Sequence, residues 1–140
     1  MEAAVIDASV AVKWVVEESG SDRARGLSQA RLEAPDLLPV ECANILWKKV
    51  RLGDLSQPEA ARRLDLLLRA PVVLAGSRDL LEAALELAFE LKHPVYDCVY
   101  LALALRRAIP LVTADQRLVA AARRRRRTAG CVRLLADLGD

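Results

Sequence analysis

The chain has 140 residues, a length that suits one compact domain with a buried core. Apolar residues make up 54% of it, and the charges balance to a net +2, so composition alone does not indicate a nucleic-acid-binding protein. No apolar stretch approaches the ~20 residues of a membrane-spanning helix, and the N-terminus has no leader-like pattern. We therefore expect a cytoplasmic protein without a membrane partner, whose residues 1–140 form one domain.

Short apolar runs and helical periodicities alternate along the chain. The apolar, β-branched run at residues 3–6 predicts a fully buried strand. The capping box Ser56-Gln57-Pro58-Glu59 predicts a helix that continues to about residue 69. The predicted helices span residues 7–17, 22–31, 40–51, 57–69, 78–91, 96–107 and 116–126, and the predicted strands span residues 3–6, 71–74, 111–113 and 131–134. This alternation predicts an α/β domain with a mainly parallel central sheet flanked by helices.

Four carboxylates lie in apolar sequence, at Asp7, Glu41, Asp97 and Asp115. Asp7 and Asp115 directly follow predicted strands, and the site of a parallel sheet lies at the carboxyl ends of its strands. Glu41 and Asp97 lie near helix N-termini, where the helix dipole favours a negative charge. We expect this topology to bring all four into one pocket. Because converging buried carboxylates cannot all ionise without a cation, the pattern predicts a divalent-metal site.

Each of these residues also has a purely structural interpretation. Asp7 could simply follow a first strand, as acids often do in α/β folds, and Glu41 could be an ordinary first-turn acid. Asp115 could be an N-cap. Ser9 could either cap the first helix or hydrogen-bond the carboxylate of Asp7 or a metal-bound water. Asp97 is the hardest to explain as a surface residue, because the helix around it is apolar.

Four motifs occur in order along the chain: Val5-Ile6-Asp7-Ala8-Ser9, Pro39-x-Glu41-x-x-Asn44, Tyr96-Asp97-Cys98-x-Tyr100-Leu101-Ala102-Leu103-Ala104 and Thr113-Ala114-Asp115-x-x-Leu118. Together they resemble the PIN domain, and in particular the small toxins of the VapBC toxin–antitoxin type. The resemblance covers nearly the whole chain. It implies a single PIN-like domain and a metal-dependent endoribonuclease that hydrolyses RNA phosphodiester bonds, the toxin of a toxin–antitoxin pair.

The resemblance also assigns roles to residues and implies partners. It implies that the four acids are catalytic and hold Mg²⁺ or Mn²⁺, at Asp7, Glu41, Asp97 and Asp115. Ser9 and Thr113 would be supporting polar residues around the cofactor, and Asn44 would be a neighbour of Glu41. The implied partners are the RNA substrate, a cognate antitoxin protein and a second copy of the chain in a homodimer.

Other residues have competing interpretations. His93, beside Pro94, is interpreted as a loop residue, so no histidine is placed as a general base. The run Arg123–Arg127 is either the solvated end of a helix or a contact to the RNA backbone. Trp14 and Trp47 indicate core positions more often than an interface, although the resemblance raises the chance of an interface.

Three cysteines, at Cys42, Cys98 and Cys131, are too widely spaced to indicate a zinc site or a disulfide framework, and we expect small buried residues. Two other functions compete with the ribonuclease. One is a catalytically silent RNA- or protein-binding domain. The other is a phosphatase-type domain with Asp7 as nucleophile, which is disfavoured because the sequence Asp7-Ala8-Ser9 lacks a second aspartate and the glycines form no phosphate loop.

Overall fold

A computed structural model describes residues 1–139 of the chain. Its strands are β1 (Ala3–Ile6), β2 (Arg31–Pro35), β3 (Val72–Ala75), β4 (Leu111–Thr113) and β5 (Val132–Leu134). They form one sheet in the order β3-β2-β1-β4-β5, and every neighbouring pair is parallel. The parallel α/β fold is therefore confirmed. All four residues of β1 are buried, which agrees with their uninterrupted apolar sequence.

The helices surround this sheet. They are α1 (Ala8–Ala11), α2 (Ser21–Gly26), α3 (Leu38–Arg51), α4 (Gln57–Leu68), α5 (Leu81–Leu91), α6 (Val95–Arg107), α7 (Gln116–Ala122) and α8 (Arg126–Ala129). None of the described helices is long and apolar enough to cross a membrane. Strand β1 is central: the sheet extends from it through β2 to β3 on one side and through β4 to β5 on the other. The switch point of the topology therefore lies between β1 and β4.

The long helices form where the sequence predicts them. The hydroxyl of Ser56 accepts from the backbone N–H of Glu59 at 3.2 Å, and the Glu59 carboxylate accepts from the backbone N–H of Ser56 at 3.0 Å. This reciprocal pair is the predicted capping box of α4. In α6 the seven residues Cys98 to Ala104 are buried, as its apolar sequence predicts. Helix α6 is therefore the central core element that supports the site.

Strand β2 is absent from the sequence-based prediction, which extends a helix to residue 31. The helix α2 ends at Gly26, a 3₁₀ turn follows at Leu27–Gln29, and β2 begins at Arg31. Glu33 lies buried in this strand, and its carboxylate accepts a hydrogen bond from Nε of Arg107 at 3.0 Å. The local sequence pattern does not predict a strand here, because a buried strand rarely contains a charged residue. Arg107, which is distant in sequence, compensates the charge of Glu33.

Two other predicted helices are also shorter than their sequence pattern indicates. The helix predicted at 7–17 is α1 followed by a 3₁₀ turn that ends at Trp14. The indole N–H of Trp14 donates to the carbonyl of Ala24 at 2.8 Å, which fixes this turn. The helix predicted at 116–126 ends at Ala122, whose carbonyl accepts a hydrogen bond from the buried hydroxyl of Thr128. The arginine run therefore starts at a turn between two helices.

The structure agrees with the predicted burial of the cysteines and of Trp14 but not with that of Trp47. In residues 1–139 the three cysteines are free; Cys42 and Cys98 are buried and Cys131 is partly buried. Trp14 is partly buried against the core, as predicted. The core interpretation is wrong for Trp47, which is 55% exposed on α3. Its ring instead lies under the guanidinium of Arg51, 5.5 Å from the ring centroid.

Candidate functional site

Asp7 lies directly after β1, at the centre of the sheet edge where parallel strands end. It is the N-cap of α1, because its carboxylate accepts from the backbone N–H of Val10 at 3.3 Å. The side chain is buried, with only 6% of the residue exposed. Burial, reinforced by the negative charge of Asp97, raises the pKa of Asp7 to about 6, even though its hydrogen bonds lower it. Such a group needs either a proton or a nearby cation.

Two hydroxyl groups hold the Asp7 carboxylate in one orientation. Ser9 donates to Oδ1 and Thr113 donates to Oδ2, both at 2.5 Å. Thr113 is the last residue of β4, and Ser9 accepts from the backbone N–H of Ala114 at 2.9 Å. This network joins the ends of β1 and β4. Of the two predicted roles for Ser9, hydrogen bonding to the carboxylate is therefore confirmed, and Asp7 itself is the cap.

Glu41 approaches from α3, where it lies in the first turn. The hydroxyl of Tyr100, which is buried in α6, donates to Oε1 of Glu41 at 2.6 Å. Burial raises the pKa of Glu41, and the charges of Asp97 and Asp7 raise it further, whereas the Tyr100 hydrogen bond lowers it. Burial and Glu41 also raise the pKa of the Tyr100 hydroxyl, which therefore stays a donor.

Asp97 lies in the first turn of α6. Its Oδ2 hydrogen-bonds Nε2 of His93 at 2.6 Å, and both side chains are mostly buried. Burial and the charge of Asp115 raise the pKa of Asp97, while His93 lowers it. His93 lies in the loop before α6, as predicted, but it contacts a candidate catalytic acid.

Asp115 is the N-cap of α7, two residues after β4. Its Oδ1 accepts from the backbone N–H groups of Arg117 at 2.9 Å and of Leu118 at 3.4 Å. Its own backbone N–H donates to the hydroxyl of Thr113 at 3.0 Å. The capping interpretation is thus correct, and capping leaves Asp115 at the same sheet edge as Asp7.

The charges of the four predicted acids are linked through Asp97. The charge of Asp97 acts on Asp7 and Glu41, and the charge of Asp115 acts on Asp97. Among residues 1–139, none of the four forms an ion pair with lysine or arginine, and only Asp97 has a histidine partner. Asp97 is therefore the centre of a cluster of negative charge that no arginine or lysine neutralises.

The donor chemistry of this cluster fits a hard divalent cation, because all four side chains offer carboxylate oxygens. Within the described part of the chain, however, no three His, Cys, Asp or Glu side chains lie close enough together to hold one ion as they stand. Binding would therefore require the carboxylates to move toward each other. The ligand set stays a prediction.

Of the other predicted site residues, two contact an acid of the site and the rest are exposed. Thr113 and Ser9 contact Asp7 directly, as described above. Asn44 lies one turn after Glu41 on α3, but its side chain is exposed. The run Arg123–Arg127 is exposed throughout.

Sequence reasoning missed the two residues that orient the acids. His93 lies in the loop only four residues before Asp97, and this short separation in sequence is the available signal. Tyr100 lies one turn after Asp97, but its partner Glu41 is 59 residues away. Only the three-dimensional structure reveals that contact.

The fold and the site define a class, that of parallel α/β domains with a cluster of carboxylates at the switch point of the sheet. Comparison with known proteins narrows this class. The family model of the PIN domain matches residues 4–124. Ribonuclease VapC3 of Pyrobaculum aerophilum is 36% identical over 118 residues, which cover 81% of this chain and 90% of the relative. Ribonuclease VapC1 of Mycobacterium tuberculosis is 32% identical over 125 residues, which cover 86% and 92%.

A solved structure agrees with the sequence relatives. The crystal structure of PAE2754 from Pyrobaculum aerophilum superposes with a TM-score of 0.70 at 26% identity, covering 97% of this chain and 85% of that one. The chain belongs to the PIN-domain family. Nucleases of this family generally depend on a divalent metal.

Proposed function

We propose that the chain is a metal-dependent endoribonuclease that hydrolyses RNA phosphodiester bonds and acts as the toxin of a toxin–antitoxin pair. The observation that supports this most directly is the set of acids around Asp97, at the switch point of a PIN fold, which no lysine or arginine of residues 1–139 neutralises. Its relatives from two organisms bear the name ribonuclease VapC. Residues 1–140 form the one PIN-like domain of this proposal.

The proposed ligands for Mg²⁺ or Mn²⁺ are Asp7, Glu41, Asp97 and Asp115. A bound divalent cation supplies an activated water and neutralises charge on the leaving oxygen. The protein contributes orientation: the hydroxyl groups of Ser9 and Thr113 hold both oxygens of Asp7. Asn44 stays a proposed outer neighbour of Glu41.

Tyr100 and His93 orient two of the other acids, Glu41 and Asp97, in the same way. Tyr100 holds one oxygen of Glu41 and leaves the other free to act as a ligand. His93 holds Oδ2 of Asp97, which leaves Oδ1 free. Because these partners are themselves buried or mostly buried, each hydrogen bond favours one orientation of its carboxylate.

The proposed antitoxin binds the apolar groove between α3 and α4. This groove encloses about 450 Å³, and its lining includes Leu46, Trp47, Val50, Ala61 and Leu64. The exposed ring of Trp47 offers an amphipathic helix a large apolar contact. We propose that the antitoxin and RNA meet the chain in the cytoplasm.

The proposed homodimer uses the exposed face of α5. Leu81, Leu85 and Phe89 recur every four residues and are 48%, 45% and 75% exposed. This spacing places them in one row along the helix. Burying such a row against a second copy would remove it from water.

The test of the proposed activity is cleavage of a labelled RNA by purified protein with Mg²⁺, with Mn²⁺ or with EDTA. We expect cutting with a metal, none with EDTA, and loss of cutting in Asp7→Asn and Asp97→Asn. The matched control is Asp54→Asn, which changes an exposed aspartate and should cut normally. No cutting under any metal, together with intact RNA binding, would instead support the catalytically silent RNA-binding domain.

A further inference from the structure

A cleft of about 380 Å³ opens at the proposed catalytic site, and its lining combines two kinds of charge. Asp97 and Asp115 line it together with His93. The other lining residues include Arg117, Arg124 and Tyr96. Acids and arginines therefore face the same space.

The five consecutive arginines do not act as one charged block. Within residues 1–139, Arg124 is the member of the run that lines the cleft. Arg125 and Arg127 form ion pairs with Glu90 at 3.3 and 3.6 Å. Arg124 instead donates to the carbonyl of Leu91 at the end of α5, which fixes its side chain beside the cleft. The second cleft arginine, Arg117, lies outside the run.

Both cleft arginines keep their charge unpaired. In the part of the chain that the structure describes, neither Arg117 nor Arg124 forms an ion pair with a carboxylate, although Asp97 and Asp115 line the same cleft. Both side chains are exposed to solvent. A guanidinium has five donors that match the oxygens of a phosphate. These two residues can therefore bind an anion that enters beside the acids.

Tyr96 adds an aromatic surface to the same cleft. The residue is 56% exposed, while the neighbouring Tyr100 is buried. Exposed aromatic rings bind nucleic acids by stacking on bases, and a base is free to stack in this way only when it is not enclosed in a duplex. This feature favours single-stranded RNA.

We propose that Arg117 and Arg124 bind the phosphates that flank the scissile bond of a single-stranded RNA, while Tyr96 stacks on an adjacent base. This inference rests on the proposed ribonuclease function and names residues that bind the substrate at that same site. In this proposal Arg117, Arg124 and Tyr96 in the cleft wall select the RNA, whereas the acids carry out the hydrolysis.

The test measures binding of a fluorescent single-stranded RNA, and of its duplex, by fluorescence anisotropy in EDTA, where cleavage should not interfere. Arg117→Ala and Arg124→Ala should each reduce the slope of log affinity against log salt concentration by about 0.7, the value for one lost phosphate contact. The matched control is Arg126→Ala, which removes an exposed arginine of the run that does not line the cleft, and it should leave the slope unchanged.

The tyrosine is tested with a conservative pair. Tyr96→Ala should weaken single-strand binding roughly tenfold, within the range measured for lost base stacking. Tyr96→Phe keeps the ring and should bind like the wild type. Duplex binding should be insensitive to both substitutions.

The outcomes separate this inference from the proposed function. If the wild type cuts RNA with a metal but the two cleft variants bind like Arg126→Ala, the cleft assignment is wrong and the ribonuclease stands. Equal binding of duplex and single strand would also overturn it. If the wild type binds as expected but never cuts, the ribonuclease proposal fails and the cleft is an RNA-binding site. A wild type that neither binds nor cuts would overturn both.

Discussion

Substituting Asp7 with asparagine tests the cost of burying a carboxylate at the end of β1. Burial raises the pKa of Asp7 to about 6 in the folded protein. An aspartate in an unfolded chain titrates near 3.9, so the folded state binds the proton more tightly. As the pH rises from the pKa of the unfolded chain to that of the folded protein, ionisation of Asp7 therefore lowers the free energy of unfolding. The loss is about 3 kcal/mol at 1.36 kcal/mol per pKa unit.

Because asparagine does not ionise, the variant should lack this loss. The free energy of unfolding of Asp7→Asn minus that of the wild type should increase by about 2 kcal/mol between about pH 4 and pH 7, because the rest of the change falls below pH 4. Urea unfolding in EDTA, followed by circular dichroism at several pH values, measures this difference. Ser9 and Thr113 both donate to Asp7, so the amide group should also shift the whole curve by a roughly constant amount. The pH slope is therefore the relevant quantity.

The control for this slope is Asp54→Asn, in which the substituted side chain is exposed. Its stability profile should run parallel to that of the wild type. A parallel profile for Asp7→Asn as well would refute the reasoning, because it would mean that burial does not raise the pKa of Asp7. A difference that shrinks as the pH rises would refute it more strongly.

Three other substitutions test contacts that support the fold and the site. Thr113→Val removes a buried hydrogen bond to Asp7 and should lower the free energy of unfolding by about 1.5–3 kcal/mol at neutral pH in a urea titration. Ser56→Ala removes half of the α4 capping box and should cost about 1 kcal/mol in the same assay. Arg107→Met leaves the buried Glu33 without its partner and should cost about 1–3 kcal/mol, which Glu33→Gln in the same chain should partly restore.

Each of these predictions has a conservative comparison. Thr113→Ser keeps the hydroxyl and should lose less stability than Thr113→Val; the reverse order would contradict the role of the hydrogen bond. Ser56→Thr keeps a capping oxygen, so an equal loss in both Ser56 variants would argue against the cap. If Glu33→Gln lowers stability further in the Arg107→Met chain, the pair does not act as described.

The elements predicted best are those whose signals are local. The capping box at Ser56 needs only four consecutive residues, and the run at residues 3–6 is apolar without interruption. Strand β2 was missed because its signal is not local. Glu33 becomes tolerable in a buried strand only through Arg107, 74 residues away. Pro35 is the last residue of this strand, beyond its pairing with β1, so its missing N–H breaks no bond to β1.

The site shows the same division between local and distant information. The order of strands and helices was enough to predict that Asp7 and Asp97 would lie close together, and the charge of each acid acts on a shared neighbour, Glu41. The residues that orient the acids could not be predicted in the same way. Tyr100 lies in an apolar stretch of sequence, and nothing in the sequence of α6 indicates which side chain of α3 it meets.

Titration of the purified protein with Mn²⁺ by calorimetry at neutral pH is the most direct test of a metal site formed by the four acids. We expect binding by the wild type and by Asp54→Asn, and an affinity at least about tenfold lower in each of Asp7→Asn, Glu41→Gln, Asp97→Asn and Asp115→Asn, since each would lose a charged ligand. Circular dichroism should show that these variants stay folded. If the folded acid variants bind Mn²⁺ as tightly as the wild type, or if the wild type binds none, the four acids are not a metal site.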